Sequence, residues 1–123
     1  MPPIERIPSD LPFPFSRAVR AGGFIYLSGQ IPMQGDGKPL RGSIEEQTNN
    51  VLDRIAATLT ELGSSLEDVV RVTVWLSDLA LFASFNAVYA SYFKAPHLPV
   101  RSTVQAKLAF DVDVEIEVTA YKP

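Results

Sequence analysis

The chain contains no cysteine and one histidine, His97. The absence of cysteine excludes disulfides, thiolate metal sites and cysteine nucleophiles. A single histidine argues against a histidine-based zinc or iron site. Long hydrophobic runs are also missing, since no stretch approaches the roughly 18 uncharged apolar residues that a spanning helix needs. We therefore expect a protein without a cysteine- or histidine-based metal site that does not cross a membrane.

Positive charge is scarce as well. Eleven lysine and arginine residues face 14 acidic residues, for a formal net charge of −3. No basic stripe is present, so the composition argues against nucleic acid as a main partner. The first residues lack the charged start and apolar core of a signal peptide, and the expected location is cytoplasmic. With 123 residues, the chain is predicted to form one domain over residues 1–123.

The pattern of residues in the first third of the sequence predicts short β-strands followed by a loop. Its first sixteen residues include five prolines, which allow at most a short edge strand near Ile4–Ile7. Gly22-Gly23 is a suitable two-residue turn for a hairpin between Ser16–Ala21 and Phe24–Ser28. The glycine-rich stretch Gly29–Gly42 is predicted to be a loop.

Two helices and a strand follow this loop. Ser43 and Glu46 form a capping-box pattern, and Gly63 closes the same helix. Val69–Leu76 alternates as a strand, and Asp78 is placed to cap a second helix. The aromatic stripe of that helix consists of Phe82, Phe85, Tyr89 and Phe93. The order β-β-α-β-α-β-β predicts an α+β fold, a two-layer sandwich with two helices on one face of a mixed sheet.

The last two strands carry the candidate chemistry. Arg101 and Thr103 share one face of the first of these strands, opposite Val100 and Val104, and Glu115 lies on the polar face of the second. A guanidinium near a carboxylate suits the binding of a small carboxylate ligand beside an acid or base. The alternative is that these residues are solvated charges on an exposed sheet face.

A hairpin turning near Ala109–Asp111 would place Arg101 opposite about residue 119, with Glu115 four positions or roughly 13 Å further along. That distance is too long for both groups to contact one small ligand within a single chain. Either the two residues do not cooperate, or Arg101 of one chain meets Glu115 of a neighbour.

The sheet face away from the helices points to self-association. It is predicted to mix polar groups with aromatic ones, through Thr73, Trp75, Thr103, Thr119 and Tyr121. Such a face is neither a fully solvated surface nor a core. We therefore expect it to pack against further copies of the chain.

Several motifs, in order from Phe15 onward, resemble the RidA (YjgF/YER057c) family of reactive imine and enamine deaminases. These motifs are Ser28-Gly29-Gln30-Ile31-Pro32, Gln47-Thr48, Val72–Asp78, Phe85–Tyr89, Pro99–Val104 and Val114–Glu117. The resemblance implies a chorismate mutase-like (YjgF-like) fold and a homotrimer with its sites between subunits. It also implies hydrolysis of 2-imino acids or their enamine tautomers to 2-keto acids and ammonia, without a metal or cofactor.

Carried over by position, the resemblance assigns carboxylate binding to Arg101 and the orientation or activation of water to Glu115. It places Asn86, Gly29 and Thr103 in the pocket. Thr103 stands where the best-known members have cysteine.

Phe15 also falls at the pocket, where well-studied members have tyrosine. This exchange removes a hydroxyl and could favour a larger or more apolar substrate. Two alternatives stay open: a specialised deaminase of a catabolic enamine of the aminomuconate type, and a non-catalytic trimer that binds small carboxylates or protein partners.

Overall fold

A six-stranded mixed sheet carries two helices in the computed structural model of this chain, which describes residues 3–123. The strands are β1 (Glu5–Pro8), β2 (Ser16–Ala21), β3 (Phe24–Leu27), β4 (Val69–Leu76), β5 (Val100–Gln105) and β6 (Val114–Tyr121). The helices are α1 (Ile44–Glu61) and α2 (Phe82–Tyr92). This architecture confirms the predicted α+β sandwich. Within the described residues, neither helix is both long and apolar enough to cross a membrane.

Helix α1 begins where its capping residues predict. The Ser43 side chain accepts a hydrogen bond from the Glu46 amide, and the Glu46 carboxylate accepts one from the Ser43 amide. These bonds satisfy amides that have no partner within the helix. Gly63, just beyond the helix, adopts a φ of +79°, a left-handed conformation that glycine tolerates without strain. The buried face of α1 comprises Ile44, Gln47, Thr48, Val51, Leu52, Ile55 and Leu59.

The strand order is β1-β2-β3-β6-β4-β5. The predicted hairpin between the last two strands is therefore wrong, because β4 lies between them. Strand β4 pairs antiparallel with β6 and parallel with β5. The physical reason is burial: Val72, Val74 and Leu76 are fully buried and favour a central strand with neighbours on both sides. Alternation along β5 and β6 gave no information about which strand each would pair with.

Strand β5 presents its polar side to the helices. Arg101 is in register with buried Val72, and Thr103 with buried Val74. Placing Thr103 on the face away from the helices was therefore wrong. Instead Val100, 59% exposed, and Val104 point away from the helices. The reason is local, since α2 offers aromatic rings to a guanidinium at this edge of the sheet.

A register shift between Val69 and Arg71 also breaks the alternation of β4 and leaves Val70 exposed. This β-bulge adds one residue to the strand, so Val70 does not join the buried side on which the alternation placed it.

The face of the sheet away from the helices is rich in exposed apolar side chains. We call it the open face, defined by Phe24, Tyr26, Val100, Val104 and Tyr121. Phe24 and Tyr121 lie on neighbouring strands with their ring centroids 4.9 Å apart. The open face has the mixed character expected of a subunit interface, and self-association stays a prediction.

Candidate functional site

Arg101 rests on a platform of aromatic rings. Its guanidinium carbon lies 4.6 Å from the ring centroid of Tyr89 and 5.6 Å from those of Phe82 and Phe85. Helix α2 supplies all three rings, at the spacing that puts them on neighbouring turns. Attraction between a cation and ring faces, added to the packing of the arginine stem, restricts where this guanidinium can point. We call this group the arginine half-site.

Among residues 3–123, the Thr103 hydroxyl, on the same face of β5 as Arg101, has no hydrogen-bond partner, and the Tyr89 hydroxyl has no polar neighbour besides the Arg101 guanidinium. Burial raises the pKa of the Tyr89 phenol, and the charge of Arg101 opposes that rise. The phenol is therefore neutral at ordinary pH. Asn86, half-buried, lies on α2 three residues before Tyr89 and thus within one turn of the platform.

Glu115 lies on the other side of the sheet. Its neighbours Val114 and Ile116 are fully buried toward the helices, so the Glu115 side chain points to the opposite face. Burial, with a smaller contribution from the charge of Glu117, raises the pKa of the Glu115 carboxyl. A carboxylate with a raised pKa accepts a proton more readily near neutral pH.

Gly29 lets the Glu115 carboxylate lie directly against the loop after β3. Gln30 and Ile116 exchange two backbone hydrogen bonds of 2.8 and 3.0 Å, which draw this loop against β6. A Cβ atom at position 29 would collide with the Glu115 carboxylate oxygen. Glycine thus lets the backbone approach the acid closely enough to place its peptide groups in the site.

Phe15, Gly29 and Glu115 line one cavity of about 960 Å³. Its walls come from the proline-rich segment before β2, the loop after β3, the outer side of α1 and the turn Ala109–Asp111. We call this group the glutamate half-site. Sequence reasoning named three of its residues but missed Phe13 and Phe110, which also line it.

One chain does not bring the two half-sites together. Arg101 and Val118 are both in register with Val72, whereas Glu115 is in register with Trp75. The two residues are therefore separated by two strand spacings, roughly 10 Å, and by about 10 Å along the strands. They also point to opposite faces. Of the six predicted site residues, the chain groups Phe15, Gly29 and Glu115 on one side, and Asn86, Arg101 and Thr103 on the other.

A buried polar network fixes the start of β6, two residues before Glu115. The Gln47 side chain donates to Asp113 at 2.9 Å and accepts from the Asp113 amide at 2.8 Å. The Ser77 hydroxyl donates to the same carboxylate at 2.7 Å. These bonds join α1, the end of β4 and β6, so the position of Glu115 depends on residues far away in sequence. Hydrophobic patterning did not indicate this network.

Comparison with known proteins identifies the class to which this fold and site belong. The family model described as Endoribonuclease L-PSP matches residues 9–122. Mitochondrial protein MMF1 of Saccharomyces cerevisiae is 46% identical over 107 residues, which cover 86% of this chain and 73% of that protein. A RutC family protein of Pyrococcus abyssi is 46% identical over 111 residues, or 89% of this chain and 87% of that protein.

A solved structure agrees with these sequence matches. The crystal structure of a member of the YjgF protein family from Neisseria meningitidis superimposes with a TM-score of 0.84 at 34% identity, and covers 98% of this chain and 96% of that one. The chain therefore belongs to the endoribonuclease L-PSP family, the RidA/YjgF family that its motifs resemble. The predicted family membership is confirmed.

Proposed function

We propose that the protein hydrolyses reactive 2-imino acids, or their enamine tautomers, to 2-keto acids and ammonia. The observation that carries this proposal is the pair of half-sites: a guanidinium held on rings, and a half-buried carboxyl with a raised pKa beside a cavity. An imine carbon is already electrophilic, so the protein has to fix the substrate, place a water molecule and move protons. Family membership supports the same assignment.

In the proposed reaction Arg101 forms two parallel hydrogen bonds with the substrate carboxylate. Ionised Glu115 accepts a proton from water as the oxygen attacks the imine carbon. The proton then passes to nitrogen. The hydroxyl proton of the resulting intermediate also moves to nitrogen through Glu115, and the carbon–nitrogen bond breaks as the carbonyl forms and ammonia leaves. One water molecule is consumed, and no electron is gained or lost.

The site requires two chains, since Arg101 and Glu115 of one chain face opposite sides of its sheet. We propose a homotrimer in which the open face packs between subunits and Arg101 of one protomer meets Glu115 of the next. The exposed apolar residues of that face, including Val100 and Tyr26, supply the surface that such an interface buries.

RNA is not the proposed substrate, although the family description names a ribonuclease. The net charge of −3 gives no general attraction for phosphates. The single histidine, His97, is exposed, lies 4.0 Å from Glu67 and does not line the cavity beside Glu115.

A coupled assay tests the activity. Serine/threonine dehydratase generates the imine, and the loss of imine absorbance is followed with and without the protein. We expect Arg101→Ala and Glu115→Gln each to lower kcat/KM by roughly 100-fold, the range seen for lost acid–base or charge-assisted contacts. Exposed residues outside both half-sites provide matched controls, Arg6→Ala and Glu45→Gln. No acceleration over buffer, with binding of a 2-keto acid intact, would indicate a carboxylate-binding protein instead.

Mixed trimers test the two-chain site. Arg101→Ala and Glu115→Gln subunits are co-expressed with different tags, and trimers that contain both are purified. Each mixed trimer contains one intact pair among its three interfaces, so activity returns to roughly one third of the unmutated level from two inactive parents. A site formed within one chain predicts no recovery, and a monomer by light scattering would also contradict the proposal.

A further inference from the structure

The cavity beside Glu115 is much larger than a small imino acid needs. The six heavy atoms of 2-iminopropanoate fill roughly 200 Å³ or less, if each takes at most the volume of a water molecule. The cavity measures about 960 Å³. This volume is that of a single chain, and the protomer that contributes Arg101 takes up part of it. We assign the remainder to the substrate side chain, which varies among 2-imino acids while the carboxylate and imine stay the same.

Three phenylalanines form a wall of this cavity, which we call the phenylalanine wall: Phe13, Phe15 and Phe110. The rings of Phe13 and Phe15 are stacked, with centroids 6.2 Å apart and planes 18° apart. Phe15 is 44% exposed and Phe110 is 52% exposed. Stacked and offset rings of this kind offer faces and edges to a further ring.

Phe110 is held in an unusual backbone conformation, with a φ of +60°. Bulky residues rarely occupy this region because their Cβ approaches the backbone. The Phe110 carbonyl accepts a hydrogen bond from Arg41, which keeps the turn in this shape. The result is a large ring that lines the cavity instead of joining the core.

Each of the two arginines that line the cavity has one polar partner, while the Arg17 Nε has none among residues 3–123. Arg17 forms an ion pair with Glu61 at 2.7 Å, and Arg54 donates to the Ile31 carbonyl at 2.7 Å. Beside the phenylalanine wall, the cavity lining continues with the apolar side chains of Leu11, Ile31 and Met33 and with the carboxylates of Asp10 and Asp36. This part of the site therefore favours an apolar side chain over a charged one.

We infer that the preferred substrates are 2-imino acids with an aromatic or other large apolar side chain, and that Phe110 and Phe15 select them. This inference rests on the proposed function, because it assigns the cavity to the substrate side chain. Arg101 and Glu115 then act on the common carboxylate and imine, while the phenylalanine wall distinguishes one imine from another.

The test compares the imines that a flavin amino-acid oxidase produces from phenylalanine, leucine and alanine. Semicarbazide traps the imine that the protein has not hydrolysed, and this trapped fraction gives the rate. We expect kcat/KM for the phenylalanine-derived imine to exceed that for the alanine-derived imine at least tenfold. Phe110→Ala should reduce this ratio at least fivefold. The exposed control Ile4→Ala, outside the cavity, should leave the ratio unchanged.

Binding separates failure of this inference from failure of the proposed function. Calorimetry with phenylpyruvate and pyruvate measures side-chain selection without any turnover, and we expect phenylpyruvate to bind at least tenfold more tightly. Deamination of all three imines at similar rates, with equal binding of the two keto acids, would overturn the inference and leave the deaminase intact. Selective binding without turnover would show that the cavity selects apolar side chains, but it would contradict the proposed reaction and, with it, the assignment of these compounds as substrates.

Discussion

The arginine half-site and the glutamate half-site differ in how they are built. Arg101 lies at an edge strand but is held against three rings of α2, with a buried tyrosine ring 4.6 Å from its charge. Glu115 lies on an inner strand but borders a wide cavity bounded by loops. The arginine half-site is therefore packed, whereas the glutamate half-site is open.

This difference assigns separate tasks to the two halves. A packed guanidinium suits the group common to all 2-imino acids, the carboxylate, because its geometry does not change. An open cavity suits the variable side chain, and an acid whose pKa responds to burial suits proton transfer. The predictions below test this division, and the expected effect becomes smaller from one to the next.

The largest effect is expected from Arg101→Lys. An ammonium group makes no forked contact with a carboxylate and stacks less well on rings, so kcat/KM should fall roughly 100-fold although the charge is kept. Steady-state kinetics in the coupled assay measure the loss, with Arg6→Lys as the matched control. Retention of most activity would show that any cation suffices.

Tyr89 tests whether the platform positions Arg101. Tyr89→Leu removes the ring and should raise KM about tenfold with a smaller change in kcat, because carboxylate binding weakens while Glu115 is untouched. Tyr89→Phe keeps the ring and should restore KM to within about twofold. The control Tyr92→Leu, whose hydroxyl binds Asn49 and Asp53, should lower thermal stability without changing KM. Equal KM values for all variants would contradict the positioning role.

The pH profile tests the glutamate half-site. Glu115 acts as a base when ionised, so activity should rise with pH as its raised pKa is passed. Glu117→Gln removes a neighbouring negative charge and therefore lowers the pKa of Glu115. The acidic side of the pH–activity profile should then move to lower pH, with about a twofold gain in activity at pH 5. Burial, the larger cause, remains, so the pKa stays above its ordinary value. If the acidic side of the pH–activity profile does not shift relative to that of the Glu45→Gln control, a group other than Glu115 controls it.

The smallest effect is expected from Phe15→Tyr. The added hydroxyl would give the cavity one more hydrogen-bonding group, and turnover of 2-iminopropanoate should increase by roughly 1.5-fold. Rates with the alanine-derived imine measure this gain. An unchanged rate would show that the missing hydroxyl has no influence on small substrates.

Local patterns predicted the secondary structure closely. The capping box at Ser43, the alternation of Val69–Leu76 and the Gly22-Gly23 turn each depend on neighbouring residues, and each is present in the structure. The partner of β5 was predicted wrongly because alternation specifies faces and not neighbours. The face of Thr103 was wrong for a related reason, since α2 covers the polar side of that edge strand.

The sequence by itself determined the family, the two helices, the strands and the chemical types available at the site, because these follow from residue identity and short spacing. Tertiary structure alone decided that Arg101 rests on α2 rings, that Glu115 faces the opposite side, and that three phenylalanines border one cavity. Those relations join residues up to about a hundred positions apart, from Phe13 to Phe110. They arise from the burial of β4 between β5 and β6, which no local pattern specifies.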